Sequence, residues 1–114
     1  MKNATIYVTG SVNWSSTTIF TQFGRQRLFK VGNVCDLHLF FNVNSAIVNG
    51  AVICGLPGGF APSGSITNYA TWAVNSDGTS TILPVDIANN GQITTRSAFN
   101  GGFVELNIRY VVKN

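Results

Sequence analysis

Between residues 65 and 112 the chain repeats a pattern that few folds accommodate: a short run alternating apolar and polar residues, then a turn built on glycine. Residues 65–76 end at Asp77-Gly78, residues 79–88 at Asn90-Gly91, and residues 92–99 at Asn100-Gly101-Gly102. Residues 103–112 then alternate Val104, Leu106, Ile108, Tyr110 and Val112 against Glu105, Asn107 and Arg109. Alternation puts one set of side chains on each face of a strand. Asn-Gly and Asp-Gly supply the positive φ that tight hairpin turns require. Four strands joined by three such turns predict a meander. Pro84 has no N–H to donate, so it is expected on an edge or at a bulge.

The first half is less regular but carries the same period. Residues 4–9 read as a short strand with Ile6 and Val8 on one face, and residues 11–16 as a polar loop carrying Trp14. Strands are predicted over 17–23, 26–31 and 34–43. In the last of these Cys35, Leu37, Leu39, Phe41 and Val43 share one face, and Asp36, His38, Phe40 and Asn42 the other. Phe40 is an aromatic on the polar side. Residues 45–56 are apolar on both faces apart from Asn49-Gly50, a turn or a bulge, which in a small antiparallel protein suits contact with another sheet or subunit. Helical spacing is nearly absent. The fold class expected is all-β, an antiparallel sandwich of jelly-roll-like kind, with residues 1–114 forming a single domain.

Charged residues are only 10% of the 114, against roughly 25% in an average soluble protein. Asn, Thr, Ser and Gly fill the polar positions instead, a surface suited to other copies of the chain or to neutral ligands such as sugars. The net charge of +3 comes from few acids rather than many bases, so no nucleic-acid partner is expected. No segment approaches the roughly 20 apolar residues of a membrane helix, so no membrane insertion is expected. The first residues lack the apolar run of a signal peptide, which leaves a small product exported by another route or a domain of a longer protein; whether Met1 is native stays open. Cys35 and Cys54 lie in apolar strand-like runs with no Cys-x-x-Cys pair, and are expected to be free, buried thiols.

Catalytic patterns are thin. Asp36 and His38 emerge on one strand face, but His38 is the single histidine, and a solvated strand accounts for both. Four acids leave little for two-carboxylate hydrolysis, and no serine sits in a Gly-x-Ser-x-Gly elbow. Gly55-Leu56-Pro57-Gly58-Gly59 lacks the Lys-Ser/Thr ending of a phosphate loop and reads as a turn. The expectation is therefore no enzyme, no metal and no cofactor. Binding has better signals, because sugar sites pair an aromatic ring with short polar side chains. Trp14 stands in a polar loop, and Tyr69 falls on the polar phase of residues 65–76 while Trp72 falls on the apolar, core-facing phase. The turns at 77–78 and 100–102 are expected to share one end of the meander, where Asn75, Asp77 and Asn100 would form a polar rim. Trp14, Tyr69, Asn75, Asp77, Asn100, Asp36 and His38 are the candidate ligand-binding residues.

Three pieces of sequence carry a resemblance. Val31-Gly32-Asn33-Val34 leads into a long strand, Leu56-Pro57-Gly58-Gly59-Phe60-Ala61-Pro62 forms a break, and Ile87-Ala88-Asn89-Asn90-Gly91-Gln92-Ile93 forms a hairpin. In this order they resemble the carboxy-terminal receptor-binding head domains of bacteriophage tail-fibre and baseplate proteins. Cys35 replaces an aliphatic just after the first motif, a departure that touches packing only. The resemblance implies a homotrimer of β-sandwich heads at the tip of a virion's tail appendage, outside the cell, joined to the rest of the tail or baseplate and binding a host cell-surface saccharide. A three-fold axis would bury the second apolar face of residues 45–56. Two rival classes stand beside it: a structural trimerisation or decoration module without a glycan site, and a glycan hydrolase tip assembling Asp36, Asp77 and Asp86 across subunits.

Overall fold

The computed structural model describes residues 7–24 and 26–113, and every regular element there is a β-strand. In chain order these are β1 (Tyr7–Thr9), β2 (Asn13–Trp14), β3 (Phe20–Gln22), β4 (Arg27–Val31), β5 (Val34–Val43), β6 (Val52–Gly55), β7 (Ile66–Asn75), β8 (Ser80–Ile87), β9 (Gln92–Thr95) and β10 (Gly102–Val111). The predicted start of the first strand, with Ile6, lies outside the described residues.

All pairing is antiparallel, in the order β1-β4-β5-β10-β7-β8-β9-β6-β2, with β3 also against β5. β1 and β2 occupy opposite edges of this path, yet only residues 10–12 separate them in sequence. The sheet must therefore curl until its edges meet, which makes it sandwich-like. The closing segment is held on both sides. Gly10 N–H donates to Leu28 O (2.9 Å), and Ser15 N–H donates to Ile53 O (3.0 Å). Val12, between them, is buried.

Alternation sets the two faces as the sequence predicts. In β5 every odd residue from Cys35 to Val43 is buried, and in β10 Val104, Leu106 and Tyr110 are buried. Leu83, Val85 and Ile87 of β8 join them. The Leu56-to-Pro62 break closes one end of this core: Tyr110 hydroxyl accepts from Cys35 Sγ (3.3 Å) and donates to the Phe60 carbonyl (2.6 Å), with Phe60 itself buried. Lys30 Nζ donates to Gly59 O at 2.6 Å and lies over the Phe60 ring. Cys35 and Cys54 are free and buried. Burial alone pushes the Cys54 thiol up to about 12, and burial is also the main cause that raises Cys35.

Several expectations are corrected. The meander stops after β9: β10 does not pair with β9 but lies between β5 and β7, so Asn100-Gly101-Gly102 is a crossing into the sheet's middle rather than a hairpin turn. The supposed polar loop at 11–16 contains β2, paired with β6. Residues 45–56 are not a two-faced strand: Asn49-Gly50 is a turn, and Ile47, Ile53, Cys54 and Leu56 enter the chain's own core. Trp72 is outside the core, 45% exposed, while Thr71 and Ala73 are inside. A register shift in the β7–β8 pairing between Ile66 and Tyr69, with Asn68 at φ 56°, accounts for the broken phase. Ile66 stays opposite buried Ile87, but from Ala70 onward the even positions point out. Buried Thr71 is satisfied by donating to Leu83 O at 2.7 Å. Pro84 is not on an edge but between β7 and β9; toward β9 its carbonyl accepts from Arg96 N–H (2.9 Å) and its missing N–H leaves the reciprocal bond unmade, so the β8–β9 pairing ends at Val85 with Thr95.

Candidate functional site

Two turns build one end of the molecule. The chain leaves β7 at Asn75, reverses through Ser76, Asp77 and Gly78, and returns in β8; beside it Asn100 and Gly101 lead into β10. Gly78 at φ 91° and Gly101 at φ 109° supply the conformations these reversals need. Together Asn75, Ser76, Asp77, Asn100 and Gly101 line an open depression of about 380 Å³. The turn is rigidified from within. Asp77 Oδ1 accepts from Thr79 N–H (3.0 Å) and from the Thr79 hydroxyl (2.6 Å), and Asn75 Nδ2 donates to that hydroxyl at 3.0 Å. Ser76 Oγ donates to Gly101 O at 3.1 Å and ties the two turns together. The depression offers amides, a hydroxyl and one carboxylate, the groups that recognise hydroxyl-rich neutral ligands.

The Thr79 hydroxyl, followed by the Thr79 N–H, holds the Asp77 carboxyl below the ordinary aspartate range. The folded turn keeps its charge where the unfolded chain begins to take up protons. Its stabilisation is therefore complete above about pH 4 and fades as pH falls through the folded value. An NMR titration is expected to show Asp77 below an ordinary aspartate, with Thr79→Ala returning it upward; an unshifted Asp77 in the wild type would contradict the turn geometry.

Tyr69 and Asp36 belong elsewhere. β10 pairs with β7 only from Gly102 to Glu105; beyond that β7 turns away, and a cleft of about 630 Å³ opens between the strands. Ile66, Tyr69 and Ile108 line it together with Asp36, Asn107 and Arg109. Tyr69 hydroxyl donates across the split to Asn107 O at 2.6 Å, so it acts as a brace. Arg109 Nε donates to Asp36 Oδ1 at 2.9 Å. Asn75 is six residue steps along β7 from Tyr69, roughly 20 Å of strand. The seven sequence candidates thus divide. Asn75, Asp77 and Asn100 come together as expected, Tyr69 and Asp36 share a second cleft, and His38 stands on the outer sheet face 3.2 Å from Glu105. Trp14 packs on Phe20 and Phe41 at the core's margin, with ring centroids 6.4 and 5.3 Å away.

A further surface feature is one the sequence candidates omit. On the outer face of β5, β10, β7 and β8, Phe103 is the hub of an aromatic cluster. It stacks on Phe40 at 5.7 Å and meets Phe23 and Trp72 edge-on at 5.4 and 6.0 Å. Phe23 (55% exposed) and Ile82 (59%), the cross-strand neighbour of Trp72, extend the patch. The available signal was Phe40 and Phe103 sharing the polar phase of their strands.

Three of the four acids stand beside bases: Asp36 with Arg109, Asp86 with Arg96 at 3.5 Å, and Glu105 with His38. No group of three or more His, Cys, Asp or Glu with metal-binding geometry occurs among the described residues. The chain matches no protein-family model and no curated protein.

Proposed function

We propose that this chain is a receptor-binding head of a bacteriophage tail fibre or baseplate, which binds a host cell-surface saccharide without chemistry at its Asn75–Asp77–Asn100 end. The observation that carries the reading is the convergence of three short polar side chains on one braced depression. The weakly charged surface supports a neutral ligand. The engagement of three acids with bases supports binding over hydrolysis, since two-carboxylate hydrolysis needs a free facing pair. Such a head works outside the cell, on the virion, attached to the remainder of the tail. Homo-oligomerisation belongs to the proposal: the resemblance implies a homotrimer, but the exposed surface that suits contact between copies is the aromatic sheet face rather than residues 45–56, and the charge pattern along β10 on that face favours two copies over three.

The test is binding to host cells and to a glycan array by the wild type, Asp77→Ala, Asn75→Ala, Asn100→Ala and Tyr69→Ala. The three rim substitutions are each expected to weaken saturable binding about tenfold or more, the scale of a lost polar contact to a bound ligand. Tyr69→Ala is expected to leave it unchanged. Loss confined to Tyr69→Ala would move the site to the β7–β10 cleft. A folded wild type that binds no saccharide would favour the structural module, a reading already served by the packing of Trp14 and the bracing of Tyr69.

A further inference from the structure

The outward side chains of β10 read, in order, Phe103, Glu105, Asn107, Arg109 and Val111. The even positions between them face the core, so these five form one solvent-side row. About Asn107 the row is self-complementary: an acid two residues to one side answers a base two residues to the other, and apolar residues stand beyond both. We infer that two copies of this chain pack face to face through the β5–β10–β7–β8 sheet. The two-fold axis lies in the interface, runs across the strands and passes over Asn107.

This operation reverses strand direction while leaving each strand over its counterpart. Arg109 then stands over the partner's Glu105 and Glu105 over the partner's Arg109, while Val111 meets the partner's Phe103. Packed sheets lie about 10 Å apart, a gap that an arginine and a glutamate bridge. Any other register along β10 sets like against like or buries a charge against an apolar end, which a desolvated interface penalises.

A second observation fits the same axis independently. Trp72 is in register with Glu105 one strand over, on β7. The two-fold operation carries it to the level of Arg109, on the β7 side of β10. That is where β7 has turned away and the cleft lined by Ile66, Tyr69, Asn107, Ile108 and Arg109 lies open. Each copy therefore offers an exposed tryptophan as a knob and an open cleft to receive it. Large aromatic anchors seated in pockets carry most of the binding energy in interfaces of this kind. The Asn75–Asp77–Asn100 depression lies in the turns beyond the strand ends. The inference does not depend on what that depression binds.

Sedimentation equilibrium on the wild type is expected to give twice the 12.2 kDa chain mass. Glu105→Arg alone and Arg109→Glu alone each oppose like charges at both symmetric contacts. Each is expected to raise the dimer dissociation constant at least about a hundredfold, with circular dichroism unchanged. Mixed in equal amounts, the two variants regain complementary charges at both contacts, and the mixture is expected to recover the dimer mass. A purpose confined within one chain, through the Arg109–Asp36 or His38–Glu105 pairs, would gain nothing from mixing. Trp72→Ala is expected to weaken the pair at least about tenfold. A wild type sedimenting as one chain or three, or single reversals that stay dimeric, or a mixture that stays monomeric, would each overturn the inference.

Discussion

Gly102→Ala is expected to cost about 4 kcal/mol or more, the largest loss from any single added methyl in the chain. Gly102 opens β10 at the point where it enters between two strands, opposite Val43 of β5 on one side and Asn75 of β7 on the other. Its φ of 143° is one that side chains rarely adopt. An added Cβ would overlap the Val74 carbonyl oxygen and lie 3.1 Å from the Asn75 carbonyl carbon, both of them backbone that no rotamer change moves away. Domains of this size are stable by about 5–15 kcal/mol, so the variant is expected to unfold at much lower urea concentration or to fail to accumulate folded. Gly58→Ala is the control: its Cβ meets nothing within 4 Å and its φ is ordinary. Matching urea midpoints for the two variants would refute the squeezed geometry at Gly102.

Phe41→Ala is expected to cost about 3–5 kcal/mol. Phe41 is buried and touches two other rings, Phe20 at 6.0 Å and Trp14 at 5.3 Å. Those rings come from β3 and β2, so the cluster sits where the curled sheet closes on itself. Truncation leaves a cavity that three different strands would have to fill, and strands fixed by ladders relax little. Phe41→Leu keeps most of the volume and is expected to lose less than half as much. Trp14 reports the change directly. In a Trp72→Phe background its emission is expected to shift to the red in Phe41→Ala and to stay near wild type in Phe41→Leu. A Phe41→Ala midpoint within about 1 kcal/mol of wild type would contradict this packing.

The long strands were legible because one side of each is covered. β5, β8 and β10 fall within a residue or two of the alternating runs, since a period of two survives wherever one face is buried. The polar rim was legible for the same reason: Asp77-Gly78 has one geometrical use, and it fixes where Asn75 points. Three features were hidden by causes outside the local pattern. The placement of β10 between β5 and β7 depends on pairing across the whole domain, and nothing in Asn100-Gly101-Gly102 distinguishes a hairpin from a crossing. The inversion of Trp72 and Thr71 follows from the irregularity at residues 67–68, which has no glycine to announce it. The aromatic face escaped because its members come one apiece from β5, β7, β8 and β10 and from Phe23 just after β3, and each alone reads as an isolated exposed apolar residue.

The central position of β10 has a temporal consequence. As the chain is synthesised, β5 and β7 are complete long before Val111 emerges, yet the strand that joins them is the last of the ten. Until it arrives, both carry bare backbone edges, and no strand ladder joins the β1-β4-β5 half of the sheet to the β7-β8-β9-β6-β2 half. Pairing of β10 with β5 spans sequence separations from 59 residues, at Gly102 with Val43, to 77, at Val111 with Val34. Loops of that length close slowly, and fold completion is set by the rarest such encounter. A nascent or truncated chain ending before residue 102 presents two unsatisfied strand edges at once, the configuration most prone to pair with a neighbouring chain.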